Sequence, residues 1–183
     1  VLPLEEPASD RLLPLVLRLV RQFEAKHGCR FAIDVLPTVL ELTRRYQAEL
    51  ANPGKTAVAL EQLVRKHSGD ITRQHVLEHF QDRTGLDPRL LNRYETLERQ
   101  EVVEALRQSI FGQQAALEAM ADVVMVAKSQ LNDPQKPLAS MLFLGPTGVG
   151  KTESAKALAR YLFGSEDRLL RFDMNEFSSP DSA

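Results

Sequence analysis

Residues 145–152 carry the clearest chemical pattern in the sequence, Gly-Pro-Thr-Gly-Val-Gly-Lys-Thr. They match the spacing G-x-x-x-x-G-K-[ST], in which small residues let successive backbone N–H groups turn toward one anion. A helical pattern follows directly, and the free N–H groups and dipole of a helix start also favour anions. The spacing therefore predicts a phosphate-binding loop formed by Gly145, Pro146, Thr147, Gly148, Val149 and Gly150.

Two side chains at the end of this loop complete the predicted chemistry. Lys151 can reach the β- and γ-phosphates of a nucleoside triphosphate, and the Thr152 hydroxyl group can help to hold Mg²⁺. An apolar run precedes the loop and a helical pattern follows it, which is the context that separates a functional match from a chance one. We therefore expect ATP and Mg²⁺ as ligands, with Thr152 at the metal.

Other polar residues in the sequence have simpler interpretations. Asp173 ends an apolar run and could be mistaken for a metal-linked acid, but we interpret Asp173 and Glu176 as turn, capping or subunit-boundary residues. His75 and His79 have the i, i+4 spacing of a metal pair. No cysteine or acid completes that set of ligands, so we expect the histidines on solvated helix faces. Cys29, the single cysteine, is interpreted as a buried thiol.

The first half of the chain has the hydrophobic spacing of helices. Apolar residues recur at this spacing in segments that end near Gly28, Leu50, Gly69 and Gly85. We expect Ser9 or Asp10 to cap the first helix, Thr72 to cap the fourth, and Ile71 to lie in a short extended segment. Residues 1–86 are therefore predicted to form a small helical domain.

The second half changes from helices to an alternation of strand and helix. Helical patterns cover roughly residues 90–106 and 113–131. Residues 140–144 and 169–173 are short apolar runs and predict two strands, with the loop and the helix of residues 151–163 between them. Strand, glycine loop, helix and strand form the opening of a parallel α/β sheet, so the fold class is α/β.

Charge and hydropathy exclude several classes of partner. The formal net charge is −2, with 12 basic and 11 acidic residues in 1–86 and 11 basic and 14 acidic residues in 87–183. Neither half has the basic excess of a nucleic-acid binder. No apolar run approaches the ~20 residues of a membrane-spanning helix, and no signal peptide is apparent. We expect no nucleic-acid or membrane partner, a cytoplasmic location, and, from the two ends, a fragment of a longer protein.

Several longer runs add a family resemblance. From residue 110 they are Ile110-Phe111-Gly112-Gln113, Leu131-Asn132-Asp133-Pro134, Leu142-Phe143-Leu144 continuing into residues 145–153, and Asp173-Met174-Asn175-Glu176. With these runs the sequence resembles the second ATPase module of the Clp chaperones and unfoldases, which are AAA+ ATPases. Before residue 87 it is similar to the small helical subdomain that ends the preceding module, through Glu5-Glu6-Pro7, His27-Gly28 and Arg44-Arg45-Tyr46.

The resemblance implies a domain organisation and an activity. Residues 1–86 correspond to the small subdomain of an upstream AAA+ module, residues 87–109 to a linker helix, and residues 110–183 to the start of a truncated P-loop AAA+ sheet. The family's adenine-contacting positions fall on Ile110 and Phe111. The family assembles as hexameric rings that use ATP hydrolysis to thread client proteins for unfolding or disaggregation, in some members with a protease or secretion partner.

Two points are left open by the resemblance. Where the family usually has Leu-Pro-Asp-Lys-Ala, this chain has Asn52-Pro53-Gly54-Lys55-Thr56, so nucleotide binding by the upstream module is undecided. The alternative function is a nucleotide-binding assembly or regulatory module that does not hydrolyse ATP. Because the family's catalytic acids, sensor and trans-acting arginine are expected after Ala183, we expect no useful hydrolysis by this chain alone, and we assign no catalytic residue within it.

Overall fold

A computed structural model of the chain describes residues 6–129 and 136–174. The chain divides into two compact units, Val1–Thr96 with Val126–Ala139 and Leu97–Met125 with Ser140–Ala183. In the described part of the chain, no helix is both long and apolar enough to cross a membrane.

The first unit is a small bundle of helices with one short pair of strands. Its elements are α1 (Ser9–His27), β1 (Arg30–Phe31), α2 (Val35–Tyr46), α3 (Gly54–Lys66), β2 (Asp70–Ile71), α4 (Arg73–Thr84) and α5 (Pro88–Leu91). β1 and β2 pair in parallel, with Arg30 opposite Asp70 and Phe31 opposite Ile71. The extended segment predicted at Ile71 is therefore confirmed.

The core of the first unit collects one face of each long helix. α1 packs on α3, and α4 packs against α2, α3 and α5. Val16, Val39, Leu60 and Phe80 are fully buried where these helices meet. Because burying one such side chain contributes roughly 1.5–3 kcal/mol, this shared core is what holds the helices together.

Glycines end two of these helices as predicted. Gly28 follows α1 and Gly85 follows α4, both in the left-handed conformation, and their N–H groups donate to the carbonyl oxygens of Glu24 and Gln81. The predicted cap of α1 at Ser9 or Asp10 is wrong, because the first helical N–H groups already donate to the carbonyl oxygen of Ala8, which is the N-cap residue.

The second unit is built from three longer helices and a short 3-10 helix. Its elements are α6 (Arg99–Arg107), α7 (Gln114–Ser129), of which residues 114–125 fall in this unit, α8 (Lys151–Phe163) and the 3-10 helix Glu166–Arg168. α8 packs against α6 and the 3-10 helix. Ser154, Ala157 and Leu162 form part of its buried face.

The two strands predicted beside the glycine loop are wrong for the described residues. Residues 140–144 and 169–173 have no strand conformation, and the only parallel pair among the described residues is β1 with β2. A strand requires hydrogen bonds to a neighbouring strand, and neither segment has one in the described part of the chain. Leu142, Leu144 and Leu170 are instead at least 80% exposed. The described architecture is helix-rich α/β with one small parallel sheet.

Candidate nucleotide-binding site

The glycine loop has the backbone conformation that its sequence requires. Gly148 and Gly150 have φ values of 88° and 95°, a region that residues with a side chain rarely adopt. A Cβ atom on Gly145 would lie 3.1 Å from Cγ2 of Val149, so the start of the loop is also tightly packed. These three glycines allow the chain to turn sharply and enter α8 directly.

Lys151 lies across the loop that precedes it. It is the first residue of α8, and its Nζ atom donates to the carbonyl oxygens of Gly145, at 2.8 Å, and Pro146, at 2.7 Å. An ammonium group has three donors, so one remains for another acceptor. The side chain therefore closes the loop into a ring and puts a positive charge at its mouth.

The start of α8 supplies further donors beside this charge. The first backbone hydrogen bond of the helix runs from Ser154 N–H to the carbonyl oxygen of Gly150, at 2.8 Å. The N–H groups of Lys151, Thr152 and Glu153 precede it and cannot be used within the helix. Thr152 directly follows Lys151 in the sequence, and its side chain is exposed. Backbone donors, a cation and a hard oxygen ligand thus lie together, a set that suits phosphate and Mg²⁺.

An ion-pair network that sequence reasoning missed fixes the first turns of α8. Arg160 donates to the carboxylates of Glu153 and Glu166, the latter at 2.9 Å, and Lys156 lies 3.5 Å from Glu166. The bond to Glu153 is the main reason that the pKa of Arg160 is raised above its ordinary value, with the charge of Glu166 adding to it. The network ties the start of α8 to the 3-10 helix and keeps the Glu153 carboxylate engaged.

The two residues predicted to contact adenine have different environments. Ile110 is buried in the second unit, with 4% of its surface exposed, whereas Phe111 is 81% exposed. Only the Phe111 ring is therefore largely available to a ligand. Their roles stay predictions.

The remaining candidate residues are Asp173, Glu176 and the histidines. Asp173 is half-buried and lies 3.6 Å from Arg171, whereas Glu176 lies outside the described residues. Among the described residues, no three histidine, cysteine or acidic side chains form a metal site. The solvated position expected for the histidines is wrong for His79, which is 8% exposed because its helix face packs inside the first unit.

The first unit contains a cleft of about 820 Å³, which Asn52 and Lys55 help to line. Its charged lining residues are three acids and three bases, Glu6, Asp34, Glu41, Arg44, Lys55 and Arg93. The Nζ atom of Lys55 donates to the carbonyl oxygen of Gln47, at 3.4 Å. The formal charges of these six residues therefore sum to zero.

Sequence comparisons relate the chain to an AAA domain family and to ClpB chaperones. The profile of the family described as AAA domain (Cdc48 subfamily) matches residues 136–183, which include the glycine loop. Chaperone protein ClpB 1 of Synechococcus elongatus is 35% identical over 160 residues, which are 87% of this chain and 18% of that protein. Chaperone protein ClpB of Aquifex aeolicus is 42% identical over 112 residues, 61% of this chain and 11% of that protein. The chain thus spans less than a fifth of the length of these relatives.

Comparison of structures gives the same relationship. A cryo-EM reconstruction of Hsp104 in its closed state, with ATPγS and FITC casein, matches 96% of this chain and 31% of that chain, with a TM-score of 0.73 and 27% identity. The extended conformation of the Hsp104–casein complex of S. cerevisiae matches the same shares, with a TM-score of 0.71. Together with the glycine loop at the start of α8, these relationships show that the chain belongs to the Clp family of AAA+ proteins.

Proposed function

We propose that residues 145–152 bind the phosphates of ATP together with Mg²⁺. The observation that carries the proposal is the Lys151 ammonium group, held 2.8 Å from the Gly145 carbonyl oxygen at the start of α8. A fixed cation beside unused helix N–H groups is suited to a chain of phosphates, which spreads negative charge over several oxygens.

Each group in the loop has a separate role in this proposal. The backbone N–H groups between Gly145 and Gly150 surround a phosphate, and Lys151 neutralises charge on the β- and γ-phosphates. Thr152 supplies one oxygen ligand to Mg²⁺. Ile110 and Phe111 are proposed to lie at the adenine, with the exposed Phe111 ring as the stacking surface. Bound Mg²⁺ would offset phosphate charge, while the residues named here orient the nucleotide.

For the longer protein, we propose ATP hydrolysis coupled to threading of client proteins for unfolding or disaggregation. The relatives named above are chaperones, and two Hsp104 structures are described with casein. The proposed assembly is a cytoplasmic hexameric ring, with a protease or secretion partner as a further proposal. Residues 1–86 would belong to an upstream AAA+ module, residues 87–109 to a linker helix and residues 110–183 to the next ATPase domain.

The Mg²⁺ role of Thr152 can be tested by nucleotide binding. ATP affinity is measured for the parent, Thr152→Ser and Thr152→Ala, each with Mg²⁺ and with EDTA. Serine keeps the hydroxyl ligand, so Thr152→Ser should keep the increase in affinity that Mg²⁺ gives the parent. Thr152→Ala should lose most of this increase and bind like the parent in EDTA. A full Mg²⁺ effect in folded Thr152→Ala would remove Thr152 from the metal site.

A further inference from the structure

Three of the four histidines meet where α3 ends and α4 begins. His67 follows α3 directly and its N–H group donates to the carbonyl oxygen of Leu63, while His75 and His79 lie one turn apart on α4. The rings of His67 and His75 are stacked, with centroids 4.1 Å apart and planes 11° from parallel. We call His67, His75 and His79 the histidine cluster.

His75 completes the cap of α4 through a neutral ring nitrogen. Its Nδ1 atom accepts a hydrogen bond from the N–H group of Thr72, at 3.2 Å, in the position that a Glu or Gln occupies in a capping box. A protonated imidazole has no acceptor, because both nitrogens are then donors. Adding a proton to Nδ1 of His75 therefore breaks this bond at the start of α4.

His79 and His67 each bury a nitrogen without a partner. Nε2 of both rings is buried and has no hydrogen-bond partner in the described structure. His79 is 8% exposed and meets Phe80 edge to face, at 5.3 Å between ring centroids. A positive charge in these positions would lose its water without gaining an acceptor, which is costly. Protonation of His67 would also add a cation against the face of His75.

The charged neighbours of the cluster oppose protonation on balance. Burial lowers the pKa of His67, helped by His75 and Lys66 and opposed by Glu78. Burial likewise lowers the pKa of His79, helped by Arg83, Lys66 and His67 and opposed by Asp82. Asp82 is itself bound to Lys66, at 2.6 Å. Glu78 and Asp82 therefore raise these two histidine pKa values by less than burial and the neighbouring cations lower them.

A metal does not explain the cluster. Binding through Nε2 of His75 would require Nδ1 to carry the proton, but Nδ1 is the acceptor for Thr72 N–H. His67 and His79 alone supply two ligands, and no three-ligand group exists among the described residues.

We propose that the histidine cluster is a pH-sensitive device that holds the start of α4 against the end of α3 while its rings are neutral and releases it when they are protonated. The unfolded chain takes up these protons at the ordinary histidine pKa of about 6.5, whereas folded His67 and His79 resist them. The stabilisation is therefore present above about pH 6.5 and is lost as the pH falls through that value toward the lower folded pKa values.

Native-state amide exchange of the 183-residue chain at about pH 8 and about pH 5.5 tests this proposal directly. The protection factors of the Thr72 and Val76 amides should be lower at pH 5.5 than at pH 8, by up to about tenfold for each histidine whose folded pKa is lowered, because pH 5.5 lies about one unit below the ordinary histidine pKa. The amides of α1 should lose less protection than these two. The matched variant is His67→Phe/His75→Gln/His79→Leu, which keeps a ring in the stack, an acceptor at the cap and an apolar group in the core.

The triple variant should keep its protection in acid, whereas the control His27→Gln, at an exposed histidine of α1, should behave like the parent. Equal protection of the parent at both pH values, or an equal loss in the triple variant, would overturn the proposal. If the triple variant does not fold, ring ¹⁵N shifts of the parent decide. Protonation of the three rings with no loss of protection at Thr72 would also overturn it.

Discussion

The Nζ atom of Lys151 lies 2.8 Å from the carbonyl oxygen of Gly145, so the first residue of α8 is tied to the first residue of the glycine loop. One side chain thus closes the loop and supplies the positive charge at its mouth. Because the chain reverses between these two residues, the loop also depends on backbone conformations that glycine permits at Gly148 and Gly150.

Gly150→Ala should weaken the second unit. At φ 95° an alanine is strained, at a cost of about 1–3 kcal/mol. Gly54→Ala is the matched control, because Gly54 begins α3 outside the left-handed region and has no atom within 4 Å of an added Cβ. The control should leave stability unchanged or raise it by up to about 1 kcal/mol. Urea denaturation of both variants measures the difference, and equal stability would contradict the strained turn.

Leu60→Ala should destabilise the first unit by about 2–5 kcal/mol, because Leu60 is fully buried at the meeting point of α3 with its neighbours. Val58, two residues earlier on the same helix, is 46% exposed. Val58→Ala should change stability by no more than about 0.5 kcal/mol. Chemical denaturation compares the two, and similar losses would show that the packing of α3 differs from that described.

Phe111→Ala should weaken ATP binding without lowering stability. The ring is 81% exposed, so its removal leaves the core intact, whereas base stacking on an aromatic ring contributes about 1–3 kcal/mol. Inorganic triphosphate lacks the base, so its affinity should be the same in parent and variant. Tyr94→Ala, at an exposed aromatic residue of the first unit, is the control. An unchanged ratio of ATP to triphosphate affinity in Phe111→Ala would remove this residue from the adenine site.

Features set by neighbouring residues were predictable from the sequence. Four predictions that depend on local conformation are confirmed. They are the caps at Gly28 and Gly85, the extended segment at Ile71 and the glycine turn before α8. The strands predicted at residues 140–144 and 169–173 required partners elsewhere in a sheet, and no partner is present in the described residues.

Features that depend on packing between distant segments were not predictable. The burial of His79 depends on how α4 packs within the first unit, which its i, i+4 pattern with His75 does not reveal. The bond from Arg160 to Glu166 depends on where the chain turns after α8. The spacing of charges alone could not separate this network from an ordinary solvated helix face.

Calorimetric titration of Mg²⁺–ATP into the parent, Lys151→Ala and Lys156→Ala tests the proposed nucleotide site most directly. Lys156 lies on the same helix and pairs with Glu166, so its variant controls for loss of one positive charge from α8. The parent and Lys156→Ala should bind alike. Folded Lys151→Ala should bind at least about tenfold more weakly, as expected for loss of a charged hydrogen bond of about 1.5–3 kcal/mol. Equal affinity for the parent and Lys151→Ala would contradict phosphate binding at this loop.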